Sequence, residues 1–560
     1  MGATMVSLNA SNVSLDATTP VAVIGAGSMG AGIAQVAAQA GHAVRLFDLQ
    51  AGAAARALAR IADDLAGAVQ RGKLTATERD ATLARLSVAE QLTDLAGCGL
   101  AVEAIVEKLE PKQALFAELE KVLGPQAVLA TNTSSISVTA VAQKLAQPQR
   151  FIGWHFFNPA TRMKLVEIIS GVATDPALVA PMQALTRAWG KVPVLAPNAP
   201  GFIVNRVARP YYAEGLRLLA ERVADVASID TLLRQAGGFV MGPFELMDLI
   251  GVEVNLSVTT SVFEATAFDP RYAPHLIQQE LVRSGRFGRK TGHGFYRYEG
   301  GKPQGAAVAC VAPAPSVPVL RCASDMGLLT PLVQRLAAAG VTLLPDDSLP
   351  AETLALGEED AGTPGGTWIT LSDGRTAAQR SAQRAGRPVL LLDLALDFGT
   401  TPMVAVAVGG PHPNPSPTRG EGAPTLANPV PGTKPLSPCG RGVGERGSPL
   451  AQLAAALAPA GVQLLPLADV AGLVVLRTVA CLANEAADVL TWTGTAPTDI
   501  DTAMRLGTAY PQGPLAWADA IGPARVATVL THLQQHYGEV RYRRSPALSH
   551  LQHTGGLFHD

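Results

Sequence analysis

Charge of one sign is the first thing this sequence lacks: 44 Lys and Arg nearly cancel 46 Asp and Glu, leaving a formal net charge of -2. That balance offers no electrostatic footprint for nucleic acid and no basic patch for an anionic membrane. Cysteine is scarce as well. Cys98, Cys310, Cys322, Cys439 and Cys481 lie far apart, with no CxxC and no neighbouring His pair, so neither a metal site nor a disulfide framework is expected. No apolar run reaches the roughly 18 residues that span a bilayer. The opening MGATMVSLNASNVSLDATTP lacks the basic start and apolar core of a signal peptide. Hydrophobic residues make up 48% against 16% charged, enough to bury cores along most of the chain. The expectation is a soluble, cytoplasmic protein of three or four domains at roughly 150 residues each.

What is present begins with an α/β pattern. PVAVI (20–24) reads as a strand, GAGSMGAGIAQVAAQAG (25–41) as a Gly-rich turn entering a helix, and HAVRLFD (42–48) as a second strand. LAVEAIVE (100–107), AVLATNTSS (127–135), FIGWHFF (151–157), KLVEIIS (164–170) and KVPVLA (191–196) continue the series. Strands alternating with helices at this spacing predict a Rossmann-type, doubly wound parallel sheet over 19–199, behind a disordered N-terminus at 1–18. From Pro200 the text turns helical, predicting an all-helical domain over 200–298 and a linker at 299–319.

The helical text then returns. Residues 201–251 align without a gap on 472–522, with 14 identities in 51 positions. SIDTLLRQAGGFVMGPFELMDLIG (228–251) matches DIDTAMRLGTAYPQGPLAWADAIG (499–522). A second copy of the helical domain is expected over 467–560. Between the copies, 320–466 reads as a small degenerate α/β unit with no Gly-rich phosphate loop. It is interrupted at 410–449 by a Pro- and Gly-rich stretch that cannot bury a core.

Gly25, Gly27 and Gly30 form G-x-G-x-x-G directly between a strand and a helix. The first permits the tight turn, the second lets backbone approach a pyrophosphate, and the third lets helix pack on strand. The helix N-terminus supplies free amides and the positive end of a dipole. Asp48 ends the second strand, where a carboxylate accepts from ribose hydroxyls and repels a 2′-phosphate, so NAD is favoured over NADP. The competing reading is a structural turn with Asp48 as a helix cap.

Hydride removal from an alcohol needs a base near the hydroxyl, and histidine suits neutral pH. Among ten histidines, His155 stands out by its setting, WHFFNP, at the end of a strand. Glu167 lies on the next strand, within reach if the two strands pair, where it would orient the imidazole. On these two residues alone a core histidine beside an exposed glutamate remains open.

Residues 20–298 resemble the 3-hydroxyacyl-CoA dehydrogenase family almost throughout. The matching text is VAVIGAGSMGAGIAQ, AVEAIVEKLEPKQALF, TNTSSIS, HFFNPATRMKLVEI, PGFIVNRVARPYY and GPFELMDLIG. The resemblance implies NAD-dependent oxidation of a (3S)-3-hydroxyacyl-CoA thioester, with His155 as base and Glu167 as its orienting partner. It places Ser134 and Asn205 around the substrate hydroxyl and thioester. Glu107, Lys112, Asn132 and Asn158 match positions of the cofactor site. A homo-oligomer, dimer or trimer, is expected. Rossmann dehydrogenases of the 6-phosphogluconate or 3-hydroxyisobutyrate type, which rely on a lysine, are the alternative enzymes. A silent NAD-binding scaffold is the alternative without chemistry.

The duplicated C-terminal text resembles the longer bacterial branch of the family, which includes enzymes for 3-hydroxyadipyl-CoA in phenylacetate breakdown and for 3-hydroxybutyryl-CoA. Arg162 stands where relatives often carry an apolar residue, and is the candidate partner of a distal substrate carboxylate; an exposed surface arginine is the ordinary alternative. In the second copy Leu476 takes the place of Asn205, so that copy is expected to be catalytically silent and to cover the first as a partner subunit would.

Overall fold

The computed structural model describes residues 15–304, 308–356, 366–409 and 448–560. The expected insertion falls outside them except for 448–449, as does the expected N-terminal segment except for 15–18, where Leu15 already packs on the first core.

The first sheet contains β1 (Val21–Ile24), β2 (Val44–Phe47), β3 (Leu86–Val88), β4 (Leu100–Glu103), β5 (Val128–Thr131), β6 (Phe151–Phe156), β7 (Leu165–Ser170) and β8 (Val192–Ala196). Their order is β3-β2-β1-β4-β5-β6-β7-β8. Helices α1 (Ser28–Gln39), α2 (Ala53–Gln70), α3 (Ala76–Ala84), α4 (Leu109–Leu123), α5 (Val138–Ala142) and α6 (Val179–Ala188) connect the strands. β1, β4, β5 and β6 are buried along their whole length, as in a sheet covered on both faces. Strand order reverses between β1 and β4, and ligands of such sheets bind at that crevice.

The doubly wound Rossmann sheet is as expected, with one correction to the all-parallel reading. β1 to β6 are parallel, but β6 pairs antiparallel with β7, and β8 runs alongside β7. The physical reason is length. Eight residues join β6 to β7, too few for the dozen or more that a parallel crossover needs.

Among the described residues, the regular elements beyond β8 are helices, a hairpin and a second sheet. Helices α7 (Val204–Val207), α8 (Arg209–Ala220), α9 (Val226–Gln235), α10 (Pro243–Ile250), α11 (Val252–Ala265) and α12 (Leu276–Arg283) form the first copy. The hairpin is β9 (Arg297–Glu299) and β10 (Lys302–Gln304). The second sheet contains β11 (Leu320–Cys322), β12 (Leu343–Pro345), β13 (Thr353–Leu356), β14 (Thr367–Leu371), β15 (Val389–Leu392), β16 (Met403–Gly409) and β17 (Gln463–Leu467). It carries α13 (Thr330–Ala338), α14 (Ala377–Ala382) and α15 (Pro449–Leu457). The second helical copy is α16 (Val475–Thr493), α17 (Pro497–Thr508), α18 (Pro514–Ile521), α19 (Pro523–Tyr537) and α20 (Pro546–Thr554). Among the described residues no single helix is long and apolar enough to cross a membrane.

These elements condense into two compact units that do not follow chain order. One holds the chain up to Ala208, with Thr260–Asp269 and Val489–Leu515. The other holds Arg209–Thr259, Pro270–Asp488 and Ala516–Asp560.

Candidate active site

The glycine loop is built as its spacing requires. Gly25 has φ +105°, and a β-carbon there would lie 2.4 Å from the Ala104 carbonyl oxygen. At Gly30 a β-carbon would lie 1.8 Å from the Gly25 carbonyl oxygen, so α1 packs on β1 without a side chain between them. Gly27 differs: nothing lies within 4 Å of a β-carbon built on it, and it caps α1 with no side-chain hydrogen bond to the helix amides. A diphosphate can therefore approach the open backbone and accept from the first amides of α1. The Asp48 carboxylate accepts from Ala26 N at 2.7 Å and Gln50 N at 2.8 Å, which fixes a negative charge beside the loop. These residues fit a dinucleotide.

Asp48 does not cap α2, whose preceding residue is Gly52, so the alternative helix-cap role is not realised. Arg60 donates to the Ala26 carbonyl at 3.0 Å and ties α2 to the same loop.

The loop after β4 carries Glu107. Its Oε1 accepts from Thr133 Oγ1 (2.7 Å), Ser134 N (2.7 Å) and Ser135 N (3.0 Å), pinning the turn that follows β5. Ser134 Oγ also lies 3.1 Å from it. Burial alone would raise the Glu107 carboxyl, but Lys112 and these donors outweigh it and hold it below its ordinary range. Lys112 itself is 1% exposed, with its ammonium 2.5 Å from Glu103 and 3.2 Å from Glu107. Its ammonium thus ties the end of β4 to the loop that carries Glu107. Glu103, fully buried, also accepts from Ile105 N and Thr131 Oγ1. Sequence reading missed Glu103. Its signal was a lone carboxylate at the end of an otherwise apolar strand, which demands a buried partner.

Antiparallel pairing sets His155 directly opposite Glu167. Side chains of opposed residues emerge on one face, and His155 Nδ1 lies 2.7 Å from Glu167 Oε2. Both are buried, at 5% and 0% exposure. The carboxylate fixes Nδ1 as the protonated nitrogen, leaving Nε2 as the acceptor. Glu167 Oε1 accepts from Ile203 N at 3.1 Å and Val204 N at 3.0 Å, so one carboxylate orients the histidine and holds the start of α7. Phe157 and Phe202 flank the imidazole with ring centroids 4.4 Å and 5.8 Å away. Phe202 adopts φ 48°, left-handed backbone that is costly for a non-glycine residue.

Asn205, on α7, donates from Nδ2 to the Ser134 carbonyl at 3.3 Å, bringing these two expected residues together. Asn132 Oδ1 accepts from Phe156 N at 2.8 Å, beside His155. Asn158 and Arg162 are exposed on the turn between β6 and β7. The carbonyls of Ala160 and Met163 in that turn accept from buried Lys191, a residue the sequence reading also missed. Among the described residues no group of three or more His, Cys, Asp or Glu side chains is placed to hold a metal.

A Rossmann sheet with an open glycine loop, an acidic β2 terminus and a buried His-carboxylate pair defines an NAD-dependent dehydrogenase of alcohols. Models of the 3-hydroxyacyl-CoA dehydrogenase NAD-binding domain match residues 20–199, and those of its C-terminal domain match 201–298 and again 472–557. The chain belongs to the 3-hydroxyacyl-CoA dehydrogenase family.

A model of the 3-hydroxybutyryl-CoA dehydrogenase reduced Rossmann-fold domain matches 369–415. An Escherichia coli 3-hydroxyadipyl-CoA dehydrogenase is 42% identical over 93% of this chain and 95% of its own. A Bradyrhizobium diazoefficiens 3-hydroxybutyryl-CoA dehydrogenase is 42% identical over 50% of this chain and 96% of its own. A crystal structure of 3-hydroxybutyryl-CoA dehydrogenase from Escherichia coli K12 superposes with a TM-score of 0.80 at 39% identity, covering 96% of this chain and 98% of that one.

Proposed function

We propose that the chain oxidises (3S)-3-hydroxyadipyl-CoA to the 3-oxo thioester, as a step in phenylacetate breakdown. The supporting observation is the similarity to the Escherichia coli 3-hydroxyadipyl-CoA dehydrogenase, which runs through both copies and not only the catalytic half. The second reading, a 3-hydroxybutyryl-CoA dehydrogenase of short-chain fatty-acid or polyester metabolism, is favoured by the similarity to 3-hydroxybutyryl-CoA dehydrogenases.

In either case His155 Nε2 takes the proton of the C3 hydroxyl, and Glu167 stabilises the imidazolium that forms. Ser134 and Asn205 hold the substrate oxygen as the alcohol becomes a carbonyl. Gly27, the first amides of α1 and Asp48 would hold NAD, which would supply the hydride acceptor. Glu107 keeps the Ser134 turn in place through its backbone hydrogen bonds. Arg162, exposed and without a side-chain partner among the described residues, is the candidate for a distal carboxylate. The protein acts in the cytoplasm and assembles as a dimer or trimer.

NADH formation with the adipyl and butyryl substrates side by side tests the reading. A kcat/KM much higher for the adipyl thioester, lost in Arg162→Ala, supports it. A preference for the butyryl substrate overturns it in favour of the second reading.

A further inference from the structure

The repeat extends beyond the helices into the sheets. In the first half β5 and β6 are parallel, β6 and β7 antiparallel, and β7 and β8 parallel. In the second half β14 and β15, β15 and β16, and β16 and β17 repeat that sequence of pairings. The 271-residue offset of the helical repeat carries β8 onto β17 residue for residue. Register then fixes the other positions. Val194 pairs with Glu167, and its counterpart Leu465 pairs with Ala405. Glu167 pairs with His155, and Ala405 accepts a backbone hydrogen bond from Asp393, the next rung of the β15–β16 ladder.

The counterparts are therefore Asp393 for His155, Ala405 for Glu167 and Leu476 for Asn205. An independent hydrogen bond agrees: Asn198 accepts from Val138 N at the start of α5, and Asp469, at the same offset, accepts from Ala377 N at the start of α14. One task survives the exchange. Glu167 accepts from Ile203 N and Val204 N, and Asp393 accepts from their counterparts Val474 N and Val475 N, at 2.9 Å and 2.7 Å.

The helices are exchanged between the halves. Helix α17, from the second copy, packs on β7, β8 and α7 in the unit that holds His155. Its counterpart α9, from the first copy, packs on β16 in the other unit. A β-carbon at Gly507 would lie 2.9 Å from Leu165 Cδ2 and 2.9 Å from Val204 Cγ2. Leu165 is two residues from Glu167, and Val204 precedes Asn205.

We infer that the second half is a silenced copy of the catalytic half, in which Asp393 keeps only the helix-holding role of the His155–Glu167 pair, and that it serves the first through α17. Gly507 lets that helix lie close against the strand and helix that carry Glu167 and Asn205, and so positions both. The inference does not depend on which acyl chain the enzyme prefers.

The test is a set of matched variants of the full chain, with folding followed by near-ultraviolet circular dichroism and thermal midpoint. Gly507→Val is expected to lower kcat by about 10- to 100-fold, the scale set by displacing a catalytic group by up to roughly 1 Å, with NAD affinity unchanged. Gly507→Ala is expected to give a smaller loss in the same direction, which keeps the test alive if the valine variant does not fold. Adding Val204→Ala removes the two valine carbons that oppose the new side chain, leaving Leu165 Cδ2, and should restore part of the lost kcat. Ala236→Val, the same change on α9's side, and Asp393→Asn should each leave the kcat of folded protein within about twofold, well below that scale. Wild-type kcat in folded Gly507→Val, no recovery on adding Val204→Ala, or an equal loss from Ala236→Val overturns the bracing. A tenfold loss in folded Asp393→Asn overturns the silencing.

Discussion

At the scale of single residues, the burial of His155 and Glu167 decides what substitutions do. His155→Gln removes the acceptor nitrogen, and turnover should fall by about 10²–10⁴-fold with NAD affinity retained. Retention of more than about a tenth of the activity would show that His155 is not the base. Glu167→Gln presents an amide to Nδ1 and so offers the wrong tautomer at Nε2. A comparable loss of kcat is expected, separable from folding because the amide oxygen can still accept from Ile203 and Val204. Asp48→Ala should weaken NAD and narrow the preference over NADP; an unchanged cofactor ratio contradicts the ribose assignment.

Lys191 gives a pH prediction. Burial, and then the neighbouring Lys164, pull its ammonium from 10.5 down to about 8. A base whose folded value is depressed contributes stability that is present above the unfolded value and is lost as pH falls through the folded one. The thermal midpoint of wild type relative to Lys191→Met should therefore rise between pH 8 and pH 10.5. A flat difference across that window would contradict a lysine that is neutral in the folded state at high pH.

At the scale of elements, the first sheet was legible, apart from the three-residue edge strand β3, because its strands are short apolar runs bounded by turn residues, and because the glycines stand between strand and helix. The direction of β7 was legible in principle from the eight-residue connection before it. The pairing of His155 with Glu167 was legible only as a possibility, since a one-residue slip of register would put the two side chains on opposite faces. The pairing of Lys112 with Glu103 was not legible because motif spacing locates a residue along a helix and does not say whether its ammonium reaches solvent or a buried carboxylate. The sheet repeat was hidden for a different reason. Once Asp393 and Ala405 stood in place of His155 and Glu167, little text remained to align within the chain, and the ladder register supplies the residue-by-residue correspondence. Gly30→Ala tests the element directly. Its β-carbon would meet the Gly25 carbonyl at 1.8 Å, so NAD binding should be lost, measured by fluorescence titration, while Gly27→Ala, with open space, should weaken it less.

At the scale of the molecule, the unit that holds the active site takes Val489–Leu515 from the far end of the chain. A product ending at residue 298 would leave Leu165 and Val204 without Gly507 against them. It should aggregate or show a lower kcat in size-exclusion and turnover measurements; a monodisperse truncated enzyme with unchanged kcat would show that the second half is dispensable. The other unit is held by exchanged contacts between the helical copies. Buried Arg477 bridges Glu214 and Glu221, while Tyr542 donates to Glu214 and Tyr272 to Glu485. Removing one partner of such a buried network strands the others, at a cost of about 3–5 kcal/mol.

Helix α17 also bears on how the enzyme is made. Ala208 and Val489 are separated by 280 residues, all but Thr260–Asp269 of which belong to the other unit. At about 5–20 residues per second, a ribosome needs roughly 15–55 s to cross that stretch. For that time the nascent dehydrogenase lobe carries its glycine loop, His155 and Glu167, with the apolar seat for α17 still bare. The lobe that performs the chemistry is thus begun before the other unit and finished only after most of it, and its waiting surface is where a chaperone would be needed.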